Sequence, residues 1–290
     1  MSQYSIKDLE RLSGIKAHTI RIWEKRYGLV EPDRTSTNIR TYCDGDLKKI
    51  LNVSILNRYG IKISRIASLT EQEINDKILI ITRDSNDYDC LIENLVISMV
   101  DMDEERIAKL FSNAFLQNGF EESILKIVYP FFEKIGILWQ TGAINPAQEH
   151  FVSNLIRQKI IAGIDTMIPL KNPNPKHFLL FLPEGELHEL GLLFYSYLLQ
   201  KRGHKVTYLG QWVPLQDMLS ASNIMNFEFL LTSVISVYSG KEFISYLENL
   251  SGSFPDKIIF VSGLQVENLT DNIPSNMIIL HKVDDLYPHI

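Results

Sequence analysis

Glu186 and His188 have the strongest claim to chemistry in this chain. They sit in the run GELHELG, from Gly185 to Gly191. The apolar run HFLLFLP precedes them and LLFYSYLLQKRG follows, so the histidine stands where a strand gives way to a helix. A histidine there can pack, act as a general base, or bind a metal. A glycine-flanked loop at a strand end is poor ground for a packed histidine. A base needs an oriented nucleophile or substrate group, and the sequence offers no such constellation. It lacks the Gly-x-Ser-x-Gly elbow and the glycine-rich dinucleotide loop as well, so no catalytic residue is assigned. What remains is a metal ligand whose second ring nitrogen is held by Glu186. One histidine makes no cage, so its metal would already be held in a macrocycle.

A second group of candidates is cationic. Residues 1–70 carry 13 Lys+Arg against 7 Asp+Glu, whereas the other 220 carry 16 against 28. A basic head on an acidic body predicts that the head meets a polyanion and the body does not. Lys16, His18, Thr19 and Arg21 fall near the start of one short helix. Arg34 and Arg40 fall in the polar, turn-rich stretch that follows it. A third group is Trp139, Glu149 and His150 in WQTGAINPAQEH. Taken alone, these three read as a core ring and a first-turn carboxylate favoured by a helix dipole.

The elements that must position these residues follow from periodicity. YSIKDLERLSG predicts a helix with Ser5 as its cap and Asp8 as the capping-box partner, ended by Gly14. IKAHTIRIWEKRYG predicts a second, ended by Gly28, and the pair makes a helix-turn-helix. The stretch containing Arg34 and Arg40 reads as a hairpin wing. Asp44 is placed to cap the helix DGDLKKILNVSILNRYG, and ISRIASL predicts a shorter one. From about 73 to 168, apolar residues recur every three or four, which predicts a bundle of four or five helices. From about 175, HFLLFL, KVTYLG, FEFLLTSV, KIIFVSG and MIILHK alternate with helical runs, which predicts an open, doubly wound parallel sheet. The fold class is therefore multidomain, α plus α/β: a winged helix-turn-helix over 1–72, a helical bundle over 73–170 and a flavodoxin-like sheet over 171–290. Ligands of such sheets bind beyond the carboxyl ends of the strands, where His188, Ser233, Ser262 and Gly263 fall.

The two cysteines, Cys43 and Cys90, show no pairing pattern, which suits a reducing cytoplasm. No apolar run reaches the roughly 20 residues of a membrane helix, and the polar N-terminus shows no signal peptide, so a cytoplasmic protein without a membrane partner is expected.

The order TIRIWEKRYGLVEPDRT…IRTY resembles the winged helix-turn-helix of MerR-type transcription regulators over about residues 3–70. The resemblance implies a dimer on double-stranded operator DNA, with Arg21, Tyr27, Arg34, Arg40 and Tyr42 on the DNA side. Packing of both tyrosines in the small core is the competing reading.

Glu186-x-His188-x-x-Gly191, then Ser233-x-Ile235, then Ser262-Gly263, resembles the cobalamin-binding signature in which a histidine replaces the cofactor's own base below cobalt. That resemblance implies His188 as the metal ligand. It also implies a pocket for the displaced nucleotide tail lined by Gly191, Ser233, Ser262 and Gly263, and a helical cap contributing Trp139, Glu149 and His150. The whole order is similar to the light-sensing, cobalamin-dependent repressors of the CarH/LitR type. It implies a regulator, not an enzyme, that forms dimers or tetramers under the control of adenosylcobalamin and light, with an antirepressor protein as a further partner. Gln140 stands where those light sensors carry a histidine beside the cap tryptophan. The alternative is a cobalamin-independent regulator whose sheet serves oligomerisation or partner binding.

Overall fold

The computed structural model describes residues 3–84, 87–140, 144–238, 240–269 and 273–290. The chain divides into two compact units, Met1–Leu155 and Ile156–Ile290.

The first unit begins with α1 (Ile6–Ser13) and α2 (Ala17–Tyr27). Ser5 caps α1 through the expected box: its backbone N–H and hydroxyl donate to Asp8, and the Asp8 N–H donates back. Gly14 and Gly28 end the two helices in the left-handed conformation, with φ of 70° and 59°. The wing is the antiparallel pair β1 (Asp33–Arg34) and β2 (Arg40–Thr41). α3 (Asp44–Arg58) differs from expectation by one residue at its start. Cys43 is the cap, its N–H donating to Asp46, while Asp44 accepts from the Tyr4 hydroxyl at 2.9 Å. The carboxylate that closes a capping box must lie three residues past the cap, and Asp46 meets that spacing from Cys43.

The short α4 (Ile63–Ile66) leads into α5 (Glu71–Asp84), α6 (Tyr88–Val100) and α7 (Glu104–Asn118). The long helix expected from Phe120 is α8 (Phe120–Ser123), a π turn over Ile124–Val128, and α9 (Tyr129–Gln140). The Pro130 ring would collide with a carbonyl four residues back in an α-helix, and the widened turn just before it makes room. α10 (Pro146–Thr166) closes the helical series and carries the division between the units.

One core cluster of this unit joins Trp23 of α2 and Val53, Ile55 and Leu56 of α3 to Ile78 of α5 and Cys90 of α6. Glu93 of α6 is buried beside it. It accepts from Arg58 Nη2 at 2.6 Å and lies 3.3 Å from Ser54 Oγ, which also reaches the Ser13 carbonyl at 2.7 Å. Burial pushes the Glu93 carboxyl up to about 7 in spite of Arg58.

The second unit is a five-stranded parallel sheet ordered β4-β3-β5-β6-β7, the flavodoxin-like arrangement. The strands are β3 (His177–Pro183), β4 (Lys205–Val213), β5 (Phe229–Ser233), β6 (Ile258–Ser262) and β7 (Met277–Leu280). α11 (Leu190–Lys201), α12 (Leu215–Ile224) and α13 (Gly240–Ser253) connect them, and the chain ends in a 3₁₀ turn over Val283–His289. Leu179, Phe181, Leu230, Ile259 and Val261 pack with Met218 of α12 and Phe243, Leu247 and Leu250 of α13. The alternate residues Phe178 and Phe260 stack with Phe229, His204 and His289. Both faces of the sheet are therefore covered, and a site can open only at an end.

Candidate functional site

β3 and β5 are neighbours in the sheet, and their exit loops diverge there, which leaves the crevice that such a strand order creates. The two loops are tied across it by one carboxylate. Glu186 is 0% exposed in its side chain. Oε1 accepts from Leu187 N–H at 3.0 Å, His188 N–H at 3.1 Å and His188 Nδ1 at 2.5 Å. Oε2 accepts from Ile235 N–H at 2.8 Å and Ser236 N–H at 2.9 Å. Burial pushes the carboxyl up, but the bonds from His188, Ser236 and Ile235 outweigh it and hold it at about 2. Glu186 is thus an anion that fixes the His188 tautomer, with the proton on Nδ1 and the lone pair on Nε2. The His188 ring is 56% exposed.

More contacts hold the histidine's loop. Glu189, buried, pairs with Arg157 of α10 and accepts from the Tyr208 hydroxyl of β4 at 2.9 Å. Gln211 donates to the Leu187 carbonyl at 2.6 Å. Next to it Trp212, 54% exposed, holds φ 55°. Glu189 lies inside the motif, but Arg157, Tyr208 and Gln211 are far from it in the chain, and no local pattern marks them.

Ser233 and Ser262 are buried partners across β5 and β6. A Cβ built on Gly191 would lie 4.0 Å from Ser233 Oγ, so these three converge as expected. Gly263 follows, at φ 103°, and a Cβ there would meet the Val234 backbone oxygen at 2.3 Å. Only glycine lets these two turns touch. Tyr195, which the sequence reading missed, joins the group with its hydroxyl on Ser262.

Among the described residues no group of three or more His, Cys, Asp and Glu could hold a bare metal ion. One neutral imidazole, oriented by a buried carboxylate and exposed at a strand end, suits a metal whose remaining positions are filled by a macrocycle. The donor set therefore fits a corrinoid's cobalt at His188.

Glu149 and His150 stand in the first turn of α10 and pair with each other, His150 Nδ1 lying 2.8 Å from Glu149 Oε2. The side chains of Trp139 and Gln140 lie outside the described residues.

In the head, Lys16, His18 and Arg21 are exposed at the start of α2 and Thr19 is half-buried. Lys16 pairs with Glu10 at 3.2 Å. Arg34 is exposed on the wing and donates to Asn38 at 2.7 Å. Two expectations need correction. Tyr42 is 1% exposed and bonded through its backbone to Tyr4, so it packs the small core and does not face DNA. Arg40 donates from Nε to both oxygens of Glu24, at 3.2 and 3.0 Å, and so fastens the wing to α2 instead of standing open to phosphate. The wing lies close enough to the helix for an internal carboxylate to take the guanidinium. Tyr27 is half-buried against the Trp23 cluster, with the Arg26 guanidinium 5.6 Å from its ring centre.

Residues 4–73 match the MerR HTH family regulatory protein, and residues 91–162 match the B12 binding domain. The chain is 26% identical over 267 residues to the HTH-type transcriptional repressor CarH of Myxococcus xanthus, covering 90% of this chain and 88% of that protein. It is 25% identical over 261 residues to the HTH-type transcriptional repressor CarA of the same organism, covering 89% and 86%. Among solved structures it is similar to the Methanosarcina barkeri monomethylamine corrinoid protein, at 16% identity and a TM-score of 0.47, covering 70% of this chain and 92% of that one.

Proposed function

From a chain that joins a MerR-type helix-turn-helix to a B12-binding domain, and that is homologous to the repressors CarH and CarA along nine-tenths of its length, we propose a transcriptional regulator governed by a corrinoid bound at His188. The observation that carries this reading is the Glu186–His188 pair: an exposed imidazole whose tautomer is set by a buried carboxylate. Its head, residues 1–72, takes operator DNA through Lys16, His18, Thr19, Arg21, Tyr27 and Arg34, with Arg40 and Tyr42 supporting the wing. Residues 171–290 hold the cofactor. Residues 73–170 supply Trp139, Glu149 and His150 to it.

Adenosylcobalamin supplies a cobalt–carbon bond that light breaks. The chain's own part is to offer Nε2 of His188 in the right tautomer and to hold that loop still through Glu186, Glu189 and Arg157. Differential affinity of two protein states for cofactor and for DNA then makes the switch. Repression, assembly into dimers or tetramers, an antirepressor partner and a cytoplasmic location belong to the same proposal. No helix among the described residues is long and apolar enough to cross a membrane.

The test is the visible spectrum of protein mixed with adenosylcobalamin in the dark and desalted, before and after green light. Retained corrin absorption that changes on illumination, and that is lost in His188→Ala, is the expected result. Absence of bound corrin in the wild type would overturn the proposal and leave the sheet as an oligomerisation or partner-binding module. Bands that stay bound but do not respond to light would restrict it to cofactor sensing.

A further inference from the structure

The space that the cofactor reading gives to the displaced nucleotide tail, among Gly191, Ser233, Ser262 and Gly263, is occupied by the protein itself. Tyr195 stands one turn along α11 from Gly191, and residues four apart share a helix face. The phenol is 5% exposed and its hydroxyl reaches Ser262, so the ring spans from the helix to the strand end. Ser262 Oγ in turn donates to the Thr232 carbonyl at 3.3 Å, which leaves the phenol as its incoming partner. The far wall has no slack, because the Gly263 backbone already rests on Val234. A tail entering here must expel a buried aromatic ring and break its hydrogen bond, and both cost free energy. Cobalt at His188 requires neither change.

Resting on the reading that His188 binds a corrinoid, we propose that Tyr195 is the specificity-determining residue for the lower nucleotide. It plugs the tail space, so the protein discriminates against corrinoids with a bulky lower base and favours the tail-free, cobinamide class. His188 ligates both classes equally.

The experiment compares hydroxocobalamin with aquohydroxocobinamide, each titrated in the dark into the full-length protein and followed by visible absorption. Displacing its own base already handicaps hydroxocobalamin, so the decisive quantity is the ratio of the two dissociation constants and how a variant moves it. Tyr195→Ala should tighten hydroxocobalamin about tenfold or more, roughly 1.4 kcal/mol, and leave cobinamide nearly unchanged. Tyr195→Phe keeps the ring and should keep most of the wild-type ratio. Tyr195→Val serves as the second small variant if the alanine protein does not fold, as judged by its circular dichroism melt. Binding of both ligands, with a ratio that neither small variant moves, overturns the proposal alone. If the wild type binds neither ligand, the corrinoid reading falls and the proposal falls with it.

Discussion

Glu186→Gln removes one charge and almost no volume, yet the structure predicts a large penalty. Five donors converge on the two carboxylate oxygens: four backbone N–H groups and His188 Nδ1. Glutamine has one acceptor oxygen. Whichever way its amide turns, its NH₂ group faces N–H donors of one loop, and buried donors are left unsatisfied. The carboxyl is held at about 2, against 4.5 for an unperturbed glutamate. At about 1.4 kcal/mol per pKa unit, this contributes about 3 kcal/mol to the fold at pH 7. A depressed carboxyl stabilises above its unfolded value and loses that contribution as pH falls toward the folded value. By pH 3 about half of it remains, whereas the glutamine variant has no such dependence. Urea unfolding of wild type and variant at pH 7 and pH 3 measures the gap. A gap under about 0.5 kcal/mol at pH 7, or one that does not shrink on acidification, would refute the reasoning. The variant should also lose corrinoid affinity by roughly 10–100-fold, the usual cost of removing a partner that orients a metal-bound imidazole.

Glu93 is predicted to act with the opposite sign. Its carboxyl is raised to about 7, so the folded protein holds that proton more tightly than the unfolded chain, and stability falls as pH climbs from about 4.5 to about 7. Between pH 5 and pH 8 the wild type should lose about 2 kcal/mol more than Glu93→Gln in urea unfolding; equal losses would contradict the assignment. Gly263→Ala must place a Cβ on the Val234 backbone at a φ that favours glycine, and should lower stability by about 3 kcal/mol or more; a melting temperature matching wild type would show that the turn relaxes freely. Arg34→Ala should weaken binding to all DNA sequences alike and flatten the log–log salt dependence by about one unit, whereas Arg40→Ala should instead loosen the wing; identical salt slopes in both variants would show that the two arginines play one role.

What the sequence disclosed was local. The Ser5–Asp8 capping box, the glycine stops at Gly14 and Gly28, and the strand HFLLFLP each depend on neighbours within a few residues, and each is present in the structure. The Glu186–His188 pair was legible for the same reason, being two residues apart. What stayed hidden was what the chain brings together from afar. Arg40 finds Glu24 sixteen positions away, Arg157 finds Glu189 across thirty-two, and the Ile235 and Ser236 amides reach Glu186 across forty-nine and fifty. Tyr195 carried a weaker signal. Its place one turn after Gly191 could be read from the sequence, but Ser262 as its partner could not, because that depends on the register of β5 against β6.

The cluster that joins Trp23 and α3 to Ile78 and Cys90 has a consequence for how this protein can be dissected and how it could have been assembled. α3 is a party wall. Leu47, Ile50 and Leu51 are buried on it, as are Val53, Ile55 and Leu56. A cut after residue 72 would strip α5 and α6 from that wall, leaving Arg58 without Glu93 and bare aliphatic surface in water. Such a fragment should be sticky and soften readily, while one extended to the end of α6 should be well behaved. Recombination that traded this head for another would meet the same seam. A transferable head would have to carry α5 and α6 with it, or find a new cover for α3 at its destination.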